Sequence, residues 1–159
     1  MSDAGTGKTL VEIHDFVTAK NRKRALVLAP LSLLEAAWVA DFRKFAPEIS
    51  ILPAYASNRK EAFASTADVL VVNHDGVKDI AKMPAKWFKQ FDTLIIDESG
   101  AYKHHTSARS AAAAKVAERF QYVRLLNGTP WTNSITDLWH QMYLVDRGRR
   151  LGNTFSAFR

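Results

Sequence analysis

The stretch SDAGTGKTL, residues 2–10, places two glycines, a lysine and a threonine at the start of a segment with helical apolar spacing. Glycines allow backbone N–H groups to turn inward around phosphate oxygens. A lysine followed by a hydroxyl residue is typical of the Walker A loop, which holds the phosphates and Mg²⁺ of a nucleotide. Such a loop joins a buried strand to a helix, so the stretch predicts an α/β fold. Ser2 stands where the general pattern has its first glycine, and a glycine-rich helix start is the alternative interpretation.

The rest of the chain alternates short apolar runs with segments of helical periodicity. The sequence predicts helices over residues 8–20, 31–45, 59–65, 76–81, 84–90, 108–120 and 135–144, and strands over residues 24–29, 49–55, 68–73, 93–97 and 122–126. Continuous apolar strands separated by helices indicate a mostly parallel sheet with helices on both faces. Functional side chains of such sheets gather where the strands end. The stretches expected at this edge are residues 30–32, 74–76, 97–100 and 127–130.

Composition limits the class of protein. The chain has 159 residues, 47% hydrophobic and 24% charged, which fits one globular domain. It has no cysteine, no signal-peptide pattern and no apolar run long enough to cross a membrane, so we expect a protein of the cytoplasm of a bacterial or phage-infected cell. The net charge of +6 favours polyanionic partners, nucleic acid first, and a solvated basic surface without a partner is the alternative.

An acidic pair follows the predicted strand at 93–97. Asp97 can hold Mg²⁺ through water, and Glu98 can activate the water that attacks a phosphate. The alternative is an acidic pair that caps the next helix. The presence of a Walker A loop in the same chain favours the catalytic interpretation.

Four stretches in this order resemble the Swi/Snf (chromatin-remodeller) type of the superfamily 2 helicase-like ATPases. GTGKT at 5–9 is similar to motif I, and LVLAPLSLLEAAWVADFRKF at 26–45 is similar to motif Ia. LIIDESGAYKH at 94–104 resembles motif II, and LLNGTPWTNSITDLW at 125–139 resembles motif III and is the most specific of the four. LGNTFSAFR at 151–159 resembles the segment that follows the first lobe. The resemblance covers nearly the whole chain and is strongest to bacteriophage-type members.

The resemblance implies that residues 1–159 form a single RecA-like P-loop lobe, the N-terminal one of two. It implies that ATP with Mg²⁺ is the cofactor and that the partner is the phosphate backbone of double-stranded DNA, contacted without sequence specificity. The implied nucleotide-site residues are Gly5, Thr6, Gly7, Lys8 and Thr9 for ATP, Thr9 and Asp97 for the metal, and Glu98, Asp97 and Lys8 for catalysis. The implied coupling residues are Gly128 and Thr129, and the implied DNA contacts are Pro30, Ser32, His74, Gly76 and Lys103.

Departures from the family pattern shape the expectations for activity. Gly100 stands where motif II usually has a histidine that couples the ATP and DNA sites. The adenine-reading segment, the strand before the P-loop and the second lobe have no counterpart in the sequence. Loss of a central strand would leave ladder hydrogen bonds open, and we expect repair by rearrangement or by a second copy of the chain. ATP turnover by this chain alone is not expected, and a second-lobe partner would supply the missing groups.

Two other functions remain open at this point. The chain can be a non-catalytic nucleic-acid- or partner-binding module that keeps the helicase-lobe fold, which Gly100 and the basic charge favour. DNA binding that ignores Lys8→Ala and nucleotide would indicate such a module. The chain can also be an unrelated P-loop kinase, which the Gly-Thr-Pro stretch at 128–130 disfavours. The four tryptophans are predicted to lie in the core or to line the cleft.

Overall fold

The computed structural model describes residues 7–19, 23–97 and 107–126, with side chains from Thr9 onward. The helices in these ranges are α1 (Gly7–Thr18), α2 (Ala40–Phe45), α3 (Arg59–Phe63), α4 (Val77–Ala81), α5 (Ala85–Phe88) and α6 (Ala108–Ala117). The strands are β1 (Arg24–Ala29), β2 (Ile51–Ala54), β3 (Val69–Asn73), β4 (Phe91–Asp97) and β5 (Tyr122–Leu126). A π-helical turn (Leu34–Val39) leads into α2, and a 3₁₀ turn (His74–Gly76) leads into α4.

The five strands form one sheet in the order β2-β3-β1-β4-β5, and every neighbouring pair is parallel. The predicted α/β class with a parallel sheet is therefore confirmed. The register pairs Ala29 with Asn73 and Asp97 with Leu126, so the carboxyl ends of β1, β3, β4 and β5 lie along one edge. We call this the carboxyl edge.

In the described part of the chain the sheet is open at its two outer strands, because β2 and β5 each pair on one side only. β4 pairs with β1 on one side and directly with β5 on the other. Because β5 has a partner on one side only, the expectation of an open ladder that a rearrangement or a second copy of the chain would close stays a prediction. The backbone groups of β4, in contrast, are paired on both sides, as their burial requires.

Each face of the sheet carries its own hydrophobic core. The first core joins α1, the π turn and α2 to one face; its buried members are Ile13, Phe16, Ala25, Val27, Ala29, Leu34, Ala37, Trp38, Phe42, Ala46, Val69, Val71 and Ile95. The second core lies under α3 to α6 on the other face and includes Leu26, Leu28, Leu70, Val72, Leu94 and Ile96 with five aromatic rings. Because successive strand residues point to opposite faces, Asp97 projects on the same face as Ile95, which is the face of the first core.

Two helices differ from the sequence prediction. The segment predicted as one helix over 31–45 becomes helical at Leu34 and opens as a π turn. Phe45, at the end of this segment, is 49% exposed. On α1 the large apolar residues Leu10, Val11 and Val17 are also exposed, so the apolar residues of α1 are not all buried. The physical reason is that a helix resting on a sheet buries one stripe of its circumference, and these four residues lie outside that stripe.

The predicted helix over 135–144 and the predicted edge stretch at 127–130 lie outside the described residues. Within the described ranges, no helix has both the length and the apolar character needed to cross a membrane.

Candidate functional site

The first turn of α1 presents a hydroxyl group to the sheet. Thr9, Ile13 and Phe16 are spaced four and three residues apart and form the buried stripe of the helix. Ile13 and Phe16 pack in the first core, and Thr9 is 2% exposed. The backbone N–H groups at the start of a helix have no partner within the helix and attract anions. The start of α1 therefore combines an anion-attracting helix end with a buried oxygen ligand.

The carboxyl group of Asp97 lies at the end of β4. Asp97 is 3% exposed and projects on the face that α1 and the π turn cover. The indole Nε1–H of Trp38 donates a hydrogen bond of 2.9 Å to Asp97 Oδ2, and the bond is buried. Hydrogen bonds to an ionised carboxylate are stronger than neutral ones. Trp38, a residue of the π turn, therefore holds the Asp97 side chain in place through this hydrogen bond.

The π turn has its own anchors. The backbone N–H of Ala40 bonds to the carbonyl of Glu35, five residues earlier, which is the π-helical pattern. The wider turn buries three consecutive residues, Ala37, Trp38 and Val39. Tyr55 at the end of β2 donates its hydroxyl to Glu35 Oε1 at 3.0 Å. Burial raises the pKa of the Tyr55 phenol, and the adjacent Glu35 carboxylate raises it further, so this hydroxyl keeps its proton at neutral pH.

An arginine of β5 joins that strand to α1. Arg124 Nη1 lies 3.2 Å from Glu12 Oε2 and 2.5 Å from Asp15 Oδ2. The hydrogen bond to Asp15 raises the pKa of Arg124, and the charge of Glu12 adds to the effect, against burial, which lowers it. The guanidinium therefore remains charged and fixes α1 over the sheet edge that β5 provides.

The turn after β3 is packed tightly. A Cβ at Gly76 would lie 2.4 Å from Val72 Cγ1, so this position has no room for a side chain. Arg59 lies against the same glycine and bonds to Asp79 at 2.8 Å and to Asn73 Oδ1 at 2.9 Å. These contacts hold the turn at the carboxyl edge.

The exposed residue of this turn carries an ion pair to α6. Asp75 accepts a hydrogen bond from Arg109. That bond lowers the pKa of Asp75, and the positive charge of Arg109 lowers it further. The turn is thereby connected to the helix that precedes β5.

The comparison with known families agrees with this geometry. Residues 1–150 match the family model of the SNF2-related domain. The chain belongs to the SNF2-related family. Its sheet is the parallel sheet of the RecA-like lobe of SWI2/SNF2 ATPases: the SWI2/SNF2 ATPase core of Sulfolobus solfataricus, solved in complex with double-stranded DNA, superposes with a TM-score of 0.78 at 25% identity. That match covers 99% of this chain and 32% of the archaeal chain.

Curated relatives include phage and bacterial proteins. The chain is 33% identical over 165 residues to protein p41 of Acyrthosiphon pisum secondary endosymbiont phage 1, with 96% of this chain and 35% of the phage protein covered. It is 32% identical to an uncharacterized ATP-dependent helicase of Mycoplasma pneumoniae, with 86% of this chain and 14% of the helicase covered. The chain is thus homologous to one region of SNF2-family ATP-dependent helicases and spans about a third or less of these relatives.

The described part of the chain contains only some of the residues that the SNF2 resemblance implies. Gly7 and Lys8 begin α1, and Thr9 and Asp97 are buried on the same face of the sheet. Of the implied DNA contacts, Ser32 is exposed and Pro30 is half-buried at the carboxyl edge, whereas His74 and Gly76 are buried. The other implied residues lie outside the described ranges: Gly5, Thr6, Glu98, Lys103, Gly128 and Thr129.

Two contacts near the candidate nucleotide site, one made by Trp38 and one by Arg124, were not predicted from the sequence. The sequence predicts Trp38 only as a core or cleft residue, and the structure makes it a hydrogen-bond donor to Asp97. Arg124 sits in the apolar run YVRLL, where a lone cation in a predicted buried strand is a signal that a carboxylate faces it. Glu12 and Asp15, at helical spacing on α1, provide that carboxylate pair.

Thr9 and Asp97 carry oxygen atoms of the kind that bind hard cations. Mg²⁺ prefers oxygen ligands and is bound by one or two protein groups together with substrate phosphates. Thr9 and Asp97 carry such oxygen atoms, and each is buried, the first at the start of α1 and the second at the end of β4. The chemistry of these two residues therefore fits a magnesium ion.

Proposed function

We propose that this chain is the ATP-binding lobe of a DNA-dependent SNF2-type translocase. The observation that carries the proposal is the burial of Thr9 and Asp97 on one face of a parallel sheet, beside the start of α1. In this function the P-loop residues 5–9 bind the phosphates, with Lys8 as the cation. Thr9 and Asp97 hold Mg²⁺, and Glu98 polarises the attacking water. Magnesium, when bound, neutralises charge on the β- and γ-phosphates.

DNA is the proposed partner, through its phosphate backbone. The Sulfolobus solfataricus ATPase core was solved in complex with double-stranded DNA. In this chain, Pro30, Ser32 and the turn at 74–76 follow β1 and β3 at the carboxyl edge, on the same edge as Asp97. Binding to phosphates would be insensitive to sequence and would weaken with salt. Gly128 and Thr129 would report the state of the nucleotide to this surface.

We further propose that the groups that stabilise charge on the γ-phosphate come from a second lobe. Arginine residues of that kind raise the rate by about 10³-fold to 10⁵-fold in related phosphoryl-transfer enzymes. A second copy of the chain is the other possible source. Light scattering at micromolar concentration, with and without Mg-ATP, distinguishes a monomer that needs a separate lobe from a self-associating chain.

The test is Mg-ATP binding and phosphate release, each with and without double-stranded DNA. The variants are Lys8→Ala and, as a control, Lys115→Ala, which removes an exposed lysine of α6, the helix that covers the second core. We expect Mg-ATP affinity to fall at least tenfold in Lys8→Ala and to remain in the control. DNA-stimulated turnover lost only in Lys8→Ala would show a working site completed by a second copy. Equal Mg-ATP binding by the wild type and Lys8→Ala would refute the proposal.

A non-catalytic module gives a different pattern. DNA binding would then be the same with and without nucleotide and would not respond to Lys8→Ala. The salt dependence of binding would still report the number of phosphate contacts.

A further inference from the structure

The hydrogen bond between Trp38 and Asp97 lies in the interior and has a normal length, so it constrains both side chains. Both side chains are buried, the indole fully, and Nε1 lies 2.9 Å from Oδ2. An indole N–H can donate but cannot bind a cation. Any effect of Trp38 on a metal must therefore pass through the carboxylate of Asp97.

The indole packs on an aromatic ring of α2, and that ring in turn meets a ring of α1. Its ring stacks on Phe42 of α2, with centroids 6.4 Å apart and planes 25° apart. Phe42 meets Phe16 of α1 edge-on at 6.4 Å. This aromatic row runs from the π turn to the helix that carries Thr9. The position of the donor is thus set by the same packing that sets α1.

We propose that Trp38 is a positioning residue for magnesium: its indole N–H holds the Asp97 carboxylate in the orientation that binds the Mg²⁺ of Mg-nucleotide. The inference rests on the proposed function, in which Asp97 holds the metal. Hydrogen bonds that orient metal ligands are typically worth 10-fold to 100-fold in metal affinity. The π turn also suggests why this segment departs from a regular helix. The wider turn buries three consecutive residues and directs the Trp38 indole toward Asp97 at the end of β4.

Trp87 offers a matched control within the same chain. It is also buried, and its Nε1–H donates a bond of 2.8 Å to the carbonyl oxygen of Phe63. Trp87 lies in the second core, on the opposite face of the sheet from Asp97. Replacing either tryptophan by phenylalanine removes one buried N–H and part of one ring. Only the Trp38 change removes a donor from the proposed magnesium ligand.

The experiment measures the affinity for a fluorescent ADP analogue in Mg²⁺ and in EDTA, using the whole chain. The ratio of the two affinities is the magnesium-dependent gain. We expect Trp38→Phe to reduce this gain about tenfold and to leave the affinity in EDTA within about twofold. Trp87→Phe should leave the gain unchanged, and Asp97→Asn should abolish it. A general loss of structure would lower both affinities together and leave their ratio unchanged.

A spectroscopic measurement on the wild type gives a second readout. The indole ¹H–¹⁵N resonance of Trp38 should move when Mg²⁺ is added to the ADP-bound protein, while that of Trp87 should not. This measurement decides the question if Trp38→Phe fails to fold.

The outcomes separate the two proposals. The positioning role is overturned if folded Trp38→Phe keeps the full magnesium-dependent gain, or if the Trp38 indole resonance does not move when Mg²⁺ is added. The proposed ATP-binding function is unaffected by either result. If the wild type has no such gain and equals Asp97→Asn, the magnesium role of Asp97 fails and Trp38 loses its role with it.

Discussion

The two ion pairs of Arg124 allow a test of whether burial or distance decides their contribution to stability. Arg124 Nη1 is 2.5 Å from Asp15 Oδ2 and 3.2 Å from Glu12 Oε2, so distance favours Asp15. The side chain of Glu12 is only 7% exposed, whereas that of Asp15 is 37% exposed. Loss of the guanidinium would therefore leave Glu12 in the interior while water reaches Asp15.

The magnitudes follow from these two environments. At an effective dielectric constant of about 20, the attraction to Glu12 over 3.2 Å is about 5 kcal/mol, and desolvation and ordering of Arg124 offset the larger part. At the dielectric constant of water, the attraction to Asp15 over 2.5 Å is about 2 kcal/mol before screening by salt. We expect net coupling free energies of about 2 kcal/mol with Glu12 and about 0.5 kcal/mol with Asp15.

The assay is urea unfolding near neutral pH, followed by tryptophan fluorescence. Two double-mutant cycles are needed, Glu12→Gln with Arg124→Gln and Asp15→Asn with Arg124→Gln, since a cycle isolates the pairwise energy. Arg43→Gln is the control, because Arg43 is exposed on α2, and its free energy of unfolding should change by less than about 0.5 kcal/mol. A coupling to Asp15 equal to or larger than that to Glu12 would show that the reasoning from burial is wrong.

Two further predictions concern the turn after β3. Gly76→Ala should lower the free energy of unfolding by about 1–3 kcal/mol, because the new Cβ meets Val72 Cγ1 at 2.4 Å in a packed strand. Val72→Ala should relieve part of this cost in the double variant, and strictly additive losses in urea unfolding would contradict the clash. The lowered pKa of Asp75 means that its pair with Arg109 stabilises the fold above the ordinary carboxyl pKa of 3.8 and loses this effect as pH falls through the lowered value. Asp75→Asn should therefore cost less than about 1 kcal/mol near pH 6, since Asp75 is largely exposed, and this cost should shrink as the pH falls below 3.8; a cost that does not shrink in acid contradicts this assignment.

The sheet was predictable from the sequence because its strands are buried on both faces. Runs such as RALVLA at 24–29 and FDTLIID at 91–97 have no polar alternation, and both are parallel central strands. What the runs do not encode is which strand lies beside which. The position of β5 at the outer edge, with β4 as its partner, depends on the register of the whole sheet and cannot be read from any single run.

Two buried residues of the candidate site were predictable from the sequence, whereas the contacts that support them were not; the metal-binding role of Thr9 and Asp97 stays a prediction. A glycine-rich helix start and an acidic strand end are local patterns, and they identified Thr9 and Asp97. The bond from Trp38 to Asp97 joins residues 59 positions apart, and no local pattern specifies such a pair. The π turn is also invisible to helical periodicity, because its hydrogen bond from Ala40 to Glu35 spans five residues and departs from the regular helical repeat.

The helices on the two faces of the sheet should differ in how readily they unfold locally, because each face has its own core. The second core binds α3 to α6 to the sheet without any residue of α1, while α1 rests on the first core through Ile13 and Phe16. Local unfolding begins where the packing is weakest and does not require the whole chain to unfold. Backbone amides of α1 should therefore exchange with solvent ahead of those in β1 and β4. Helix α1 can then adjust its position while the sheet beneath it keeps its shape.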